Sequence, residues 1–166
     1  WLGRGQDFLG LHNSVVLMFL LYAVAHVVMT YTSIGRYIYA VGGNPEAARL
    51  SGVPVKWVLV FVYTLCGLLA GLGGVMEASL HITGDPKSGT LVELQVIAAV
   101  VVGGTSLAGG QGKIFGTLIG TLIIGVIRNG MNLTGVEAHM QSVVYGAVIL
   151  IAVLVDQLKN RSLRSN

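Results

Sequence analysis

Glu77 and His81, two titratable side chains one helical turn apart, are the chain's best candidates for chemistry with a small polar solute. Both fall near the end of a long apolar stretch, where ionisable residues are rare and suggest a functional role. One interpretation is that they hydrogen-bond a solute at the outer mouth of a path through the membrane. The other is that they simply lie at the membrane interface. Their types and spacing fit both interpretations.

The remaining polar residues form no catalytic or metal-binding pattern. The four histidines are not spaced like zinc ligands, and the sequence supports no catalytic arrangement of a histidine with Ser106 or Ser142. Gly109–Lys113 looks like part of a phosphate-binding loop. However, Leu107 and Ile114 stand where that pattern requires glycine and serine or threonine. We therefore predict a protein that is not an enzyme, hydrolyses no ATP by itself and needs no cofactor or metal.

The composition is that of an integral membrane protein. Hydrophobic residues make up 54% of the 166 residues and charged residues only 10%, whereas soluble domains carry about 25% charged residues. The net charge of +3 is small, and the basic residues lie at the ends of apolar stretches, which argues against nucleic-acid binding. Cys66 is the only cysteine, so no disulfide forms within the chain. Since the chain opens on Trp1, we expect a C-terminal fragment of a longer protein.

Five apolar stretches predict the elements that position these residues, and together they indicate an all-α membrane protein. A crossing helix needs about 20 apolar residues, and four stretches approach or exceed that length. The third stretch is too short for an ordinary crossing and predicts a short or broken one. The stretches are residues 13–31, 56–80, 94–102, 114–131 and 140–155.

Lysine and arginine placement predicts the orientation of these crossings, because cytoplasmic loops carry an excess of basic residues. Seven of the ten basic residues lie in three regions: the first loop, the start of the fourth span and the tail after the fifth span. All three regions can be cytoplasmic only if the stretch 91–110 crosses the membrane. We therefore expect about five crossings. The seven residues are Arg36, Arg49, Lys56, Lys113, Lys159, Arg161 and Arg164.

The loop 32–55 carries start and stop signals for one short helix. Asn44 is a good N-cap residue and Pro45 suits the first helical turn. Gly52 can adopt the left-handed conformation that ends a helix. The sequence therefore predicts a helix over about 44–52, and a short capped helix on a cytoplasmic face is a natural docking element for a partner.

Glycines are unusually frequent, with 24 in the chain. The pairs Gly67/Gly71 and Gly116/Gly120 are each four residues apart, a spacing that lets membrane helices approach closely. The segment 103–112 is glycine-rich and is either a plain turn at the inner face or a break that lines a path. In the second case the backbone there would yield during transport.

Several ordered motifs resemble one family, the monosaccharide ABC-transporter permeases of the ribose, xylose and galactoside type. The resemblance covers residues 10–156 and does not discriminate the sugar. Its first block lies in the loop 32–55, the second around the short apolar stretch and the third in the fourth span. The matching segments are Gly35–Tyr37, Ala40–Asn44, Glu46–Val53, Glu93–Leu94, Ile97–Val100, Gly103–Gly110, Gly116–Gly120 and Asn129–Leu133.

The resemblance implies a transmembrane permease domain in the bacterial plasma (inner) membrane, of which this chain would be the C-terminal half, residues 1–166. It implies three protein partners, namely a cytoplasmic ABC ATPase, a second permease subunit and a periplasmic or extracellular sugar-binding protein. It also implies that the short helix is the coupling helix that contacts the ATPase. The residues expected to make this contact are Asn44, Pro45, Glu46, Arg49, Leu50 and Gly52.

A sugar needs hydrogen-bond partners rather than a counter-charge, so polar side chains suffice to line its path. Gln95 stands where the family often has aspartate, and Glu77 stands where it often has a small or apolar residue. Two other functions remain open: a passive channel or exporter subunit, and a non-transporting membrane scaffold. The candidate solute-path residues are Glu77, His81, Gln95, Thr105 and Ser106.

Overall fold

The computed structural model describes residues 12–82, 84 and 89–164, with side chains up to residue 157. Within this part of the chain every regular element is a helix, and two compact units divide at Thr90 and Leu91. Residues 1–11 of the expected permease domain, and the side chains of Lys159, Arg161 and Arg164, lie outside the described part. The helices are α1 (Asn13–Tyr31), α2 (Ser33–Gly43), α3 (Pro45–Leu50), α4 (Val55–His81), α5 (Val92–Val102), α6 (Ile114–Leu133) and α7 (Ala138–Arg164).

Four helices are long and apolar enough to cross a membrane, namely α1, α4, α6 and the Ala138–Gln157 part of α7. The fifth apolar helix, α5, has 11 residues. At 1.5 Å per residue it spans about 16 Å, roughly half of a 30 Å hydrocarbon core. The predicted all-α membrane fold is therefore confirmed, with four helices long enough to span a membrane and one shorter apolar helix.

In the first unit, α1 passes directly into α2 through Thr32. The Thr32 hydroxyl donates to the Val28 carbonyl (2.6 Å) and accepts from the Gly35 N–H (3.3 Å), so one side chain serves both helix ends. Gly35 is buried, and a Cβ atom there would collide with the backbone of Met29. Glycine is therefore required for α2 to begin this close to α1.

Helix α2 was not predicted, because the loop 32–55 was expected to hold only one short helix. Its three glycines argue against a helix by intrinsic propensity. The Thr32 cap and the apolar side chains of Ile38 and Val41 outweigh that preference, since both pack into a small core with residues of α3 and α4. The loop thus contains two consecutive helices that meet at Asn44.

In the second unit, the short α5 packs against both α6 and α7. The buried core of this unit consists of Ala98 and Ala99 from α5, Ile124 and Met131 from α6, and Tyr145 from α7. The two alanines present little side-chain volume, so both longer helices can approach the α5 backbone. This arrangement makes α5 the central helix of the unit.

Glycines set the distance between α5 and α6. A Cβ atom at Gly116 would collide with the Gly103 carbonyl, and one at Gly120 would collide with the Ala99 carbonyl. The spacing of Gly116 and Gly120 therefore serves helix packing, as small residues four apart commonly do in membranes.

Candidate functional site

Asn44 ends α2 and begins α3, which creates a sharp corner in the chain. Its backbone N–H donates to the Ala40 carbonyl at the end of α2 (3.0 Å). Its side-chain Oδ1 accepts from the N–H groups of Glu46 (3.1 Å) and Ala47 (3.0 Å). Two of the N–H groups that a helix start leaves without partners are thereby satisfied. Pro45, which has no N–H to satisfy, follows as the first helical residue.

The end of α3 is closed by a Schellman motif, in which a left-handed residue after the helix lets two N–H groups bond back. Gly52 has φ +83° and donates its N–H to the Arg49 carbonyl (3.0 Å). The Val53 N–H donates to the Ala48 carbonyl (3.0 Å), and the Val53 side chain packs against the buried cluster. This pairing and the accompanying apolar contact define the motif. A helix of six residues thus has both ends held.

Helix α3 has one buried side and one exposed side. Ala48 is buried with Val41 of α2 and Val58 of α4. On the exposed side, the Arg49 guanidinium lies 3.1 Å from the Glu46 carboxylate, and 84% of Leu50 is exposed. An exposed pair at this spacing contributes only about 0.3–0.5 kcal/mol. These three side chains therefore form a surface that helix stability alone does not require, and we call it the α3 surface.

Glu77 and His81 lie on the last two turns of α4, and their side chains meet. His81 Nε2 is 3.3 Å from Glu77 Oε1, and both side chains are more than half exposed within the described part of the chain. The helix ends at His81, where Ile82 adopts a left-handed conformation at φ 56°. The structure brings this pair together, as the spacing predicted, and presents both polar ends outward.

The other three candidate solute-path residues lie in the second unit. Gln95 is half-buried on α5, and Thr105 is half-buried in the turn that follows α5. Ser106 is buried, at 8% exposure, and its hydroxyl donates to Asp156 Oδ2 of α7 at 2.8 Å. The Ser106 hydroxyl is therefore engaged within the unit.

Asp156 is the polar residue that sequence reasoning missed. It lies 50 residues from Ser106, so no local pattern links the two. The available signal was an acidic residue near the end of the last apolar stretch, where an ionisable side chain calls for a partner. Among the described residues, no three His, Cys, Asp or Glu side chains are grouped as metal ligands would be.

Comparison with known proteins identifies relatives along nearly the whole chain. Residues 3–153 match the family model described as the permease component of the branched-chain amino acid transport system. The chain is 50% identical to the ribose import permease protein of Escherichia coli strain K12 over 159 residues, which is 96% of this chain and 49% of that protein.

Two further relatives extend this similarity. The ribose import permease protein of Bacillus subtilis strain 168 is 49% identical over 158 residues, 95% of this chain and 49% of that protein. The xylose transport system permease protein of Escherichia coli strain K12 is 41% identical over 156 residues, 94% of this chain and 40% of that protein. The chain thus spans about half the length of the curated relatives it matches. No solved structure matches it significantly.

Proposed function

Because the chain belongs to the branched-chain amino acid transport system permease family, we propose that it is part of the permease subunit of an ATP-driven monosaccharide importer. It is a multi-pass protein of the bacterial plasma (inner) membrane and a transport component rather than an enzyme. The observation that carries the proposal is α3, a short helix held at both ends with an exposed, chemically mixed surface. Ribose is the first sugar to test, since two of the relatives above are named for ribose import.

The α3 surface is the docking site for a separate cytoplasmic ATPase. A six-residue helix is unstable alone, because nucleation is costly, yet α3 is capped by Asn44, closed by Gly52 and anchored through Ala48. These contacts fix α3 against α2 and α4, so that movement of a bound partner can be transmitted to both helices. Leu50 offers an apolar anchor, and Glu46 and Arg49 offer one charge of each sign.

A monosaccharide fits the polar residues of the candidate path better than a free amino acid does. An amino acid carries two charges, whose removal from water is costly unless each is paired. A sugar requires only hydrogen-bond partners for its hydroxyl groups, which Gln95 and Thr105 can supply in the second unit and Glu77 and His81 in the first. A second permease subunit and a sugar-binding protein that delivers the solute complete the proposed transporter.

The experiment is ATP hydrolysis in proteoliposomes that contain the full-length parent of this chain, its ATPase and its binding protein. Ribose, xylose and a panel of hexoses are added in turn. We expect ribose to stimulate hydrolysis, and we expect Arg49→Glu to reduce the stimulated rate about tenfold, since a lost interfacial charge pair costs on the order of 1–2 kcal/mol.

Lys56→Glu is the matched control, because Lys56 is an exposed basic residue just beyond the same loop and outside the α3 surface. If Arg49 served only to orient the protein in the membrane, both charge reversals would have the same effect. Stimulated hydrolysis that is equal in the two variants, in protein that still inserts, would contradict the docking role of α3.

The same assay separates the two other functions. Sugar uptake that needs neither ATPase nor binding protein would indicate a passive channel or an exporter subunit. Intact assembly without any solute-dependent hydrolysis or uptake would indicate a membrane scaffold that recruits its partner through the α3 surface.

A further inference from the structure

Ser106 is the centre of the turn that joins α5 to α6. Its N–H donates to the Gln111 carbonyl (3.0 Å), and its carbonyl accepts from the Gly109 N–H (3.1 Å). Its hydroxyl accepts from the Ala108 N–H (3.3 Å) and donates to Asp156 Oδ2 (2.8 Å). The Ser106 side chain is buried, at 8% exposure. Four hydrogen bonds therefore hold this glycine-rich turn in one shape.

The bond to Asp156 ties the turn to α7 at a place where apolar packing is incomplete. A groove of about 420 Å³ separates α5 from α7 here, with Val101 and Val102 on one side and Ile151 and Val155 on the other. Asp156 lies at the edge of the groove and is half-buried. Beside this groove, the hydrogen bond from Ser106 to Asp156 connects the turn to α7.

Contacts also connect α7 to α6 and α6 to α5 in this unit. The Gln141 side-chain amide, near the start of α7, donates to Asn132 Oδ1 and to the Val136 carbonyl, both at 3.0 Å. This joins α7 to the end of α6. At the opposite end of α6, the backbones of Gly103 and Gly116 are in direct contact. Each pair of helices in the unit is thus connected at one end.

We propose that Ser106 and Asp156 form a latch that stays closed throughout the transport cycle, so that α5, α6 and α7 move as one rigid body. The proposal rests on the proposed function above. Ser106 is then a positioning residue rather than a residue that touches solute. The turn is a fixed corner rather than a place where the backbone yields.

The first test measures the distance between the two residues in different nucleotide states. Ser106→Cys and Asp156→Cys are introduced together into a Cys66→Ser background of the full-length transporter with its ATPase and binding protein. A short, reducible bis-methanethiosulfonate cross-linker suits this pair, because cysteine is shorter than aspartate. The control pairs Leu107→Cys with Asp156→Cys, since Leu107 is the exposed neighbour of Ser106 in the same turn.

We expect equal cross-linking of the Ser106→Cys/Asp156→Cys pair without nucleotide and with a trapped ATP analogue, and at least threefold less in the control pair. Because the two cysteine substitutions remove the hydrogen bond, cross-linking should raise the number of sugars imported per ATP hydrolysed above that of the reduced protein. Cross-linking confined to one nucleotide state, or uptake that is blocked and then restored by reductant, would overturn the latch. The cross-linking yield is measured without sugar uptake. The latch can therefore be tested even if the protein transports no sugar and the proposed function fails.

The second test measures the number of sugars imported per ATP hydrolysed. Asp156→Leu removes the acceptor, whereas Asp156→Asn keeps an oxygen to which the Ser106 hydroxyl can donate. We expect the ratio to fall about tenfold in Asp156→Leu and to stay within twofold of the parent protein in Asp156→Asn. Adding Ser106→Ala to Asp156→Leu should lower it by less than twofold more, because the bond between the two side chains is already absent and only the bond from the exposed Ala108 N–H is lost in addition. An unchanged ratio in Asp156→Leu would refute the proposal.

Discussion

Substituting Gly120 by alanine should loosen the contact between α5 and α6, and the size of the effect follows from the backbone positions. The new methyl group would collide with the Ala99 carbonyl oxygen and would lie 2.8 Å from the Gly103 nitrogen and 3.0 Å from the Ala99 carbonyl carbon. Non-bonded carbon atoms prefer separations of about 3.5–4.0 Å. The two helices would therefore have to separate by roughly 1 Å, and overpacking of this kind typically costs about 1–3 kcal/mol.

Gly125→Ala is the matched control, because Gly125 lies on the same helix and a Cβ atom there would meet nothing within 4 Å. Alanine at an open helical position is favoured over glycine by up to about 1 kcal/mol. The two variants should therefore differ by about 1–4 kcal/mol in the free energy of unfolding. In thermal unfolding of the detergent-solubilised full-length protein this corresponds to a difference of a few degrees, about 2–6 °C.

The collision involves backbone atoms of α5, so no change of an α5 side chain should relieve it. Combining Gly120→Ala with Ala99→Gly should therefore leave the loss of stability in place, although a side-chain collision would be cured by the same change. Gly120→Ala protein that unfolds at the same temperature as Gly125→Ala protein would refute the close α5–α6 contact. Rescue by Ala99→Gly would refute its assignment to the backbone.

Variants at two further positions test local features of the two units. Gly52→Ala should destabilise the end of α3 and with it the α3 surface, because a residue other than glycine in the left-handed conformation costs about 1–2 kcal/mol. Gly52→Asn should have a smaller effect, since asparagine tolerates φ +83°. The measurement is the rate of solute-stimulated ATP hydrolysis, which should fall from the glycine protein to the asparagine variant and further to the alanine variant. Tyr145→Phe should leave the unfolding temperature unchanged or raise it, because the buried phenol oxygen has no hydrogen-bond partner among the described residues. Tyr145→Ala should lower the temperature by leaving a cavity, and a Tyr145→Phe variant as unstable as Tyr145→Ala would contradict this.

The long apolar helices could be predicted from the sequence because hydropathy over about 20 residues depends only on local composition. The first span was expected at residues 13–31 and is found as Asn13–Tyr31. The start and end signals of α3 also lie in neighbouring residues, and Asn44 and Gly52 occupy the cap positions that their types favour. That α3 contacts an ATPase stays a prediction.

Contacts between distant residues could not be predicted in the same way. Helix α2 owes its stability to Val41 and Ile38, which pack against residues of α3 and α4. The low helix propensity of its glycines therefore wrongly suggested that this segment is not helical. The interpretation of Ser106 as a residue lining a path depended on the flexibility that its glycine neighbours suggest. Its bond to Asp156 depends on a residue 50 positions away, and only the packing of α7 beside the turn brings the two together.

The paired glycines show why one sequence pattern has different structural consequences. A Cβ atom at Gly116 or Gly120 of α6 would collide with the backbone of Gly103 or Ala99, whereas in the described part of the chain nothing lies within 4 Å of a Cβ atom at Gly67 or Gly71 of α4. Both pairs have the same four-residue spacing. Small residues at that spacing permit a close approach between helices, but the approach also needs a partner whose backbone can fit the space. In the second unit α5 supplies such a partner, because its own contact residues are Ala99 and Gly103. The spacing therefore indicates which face of a helix another helix can approach closely. Whether a close contact forms depends on small residues in the neighbouring helix.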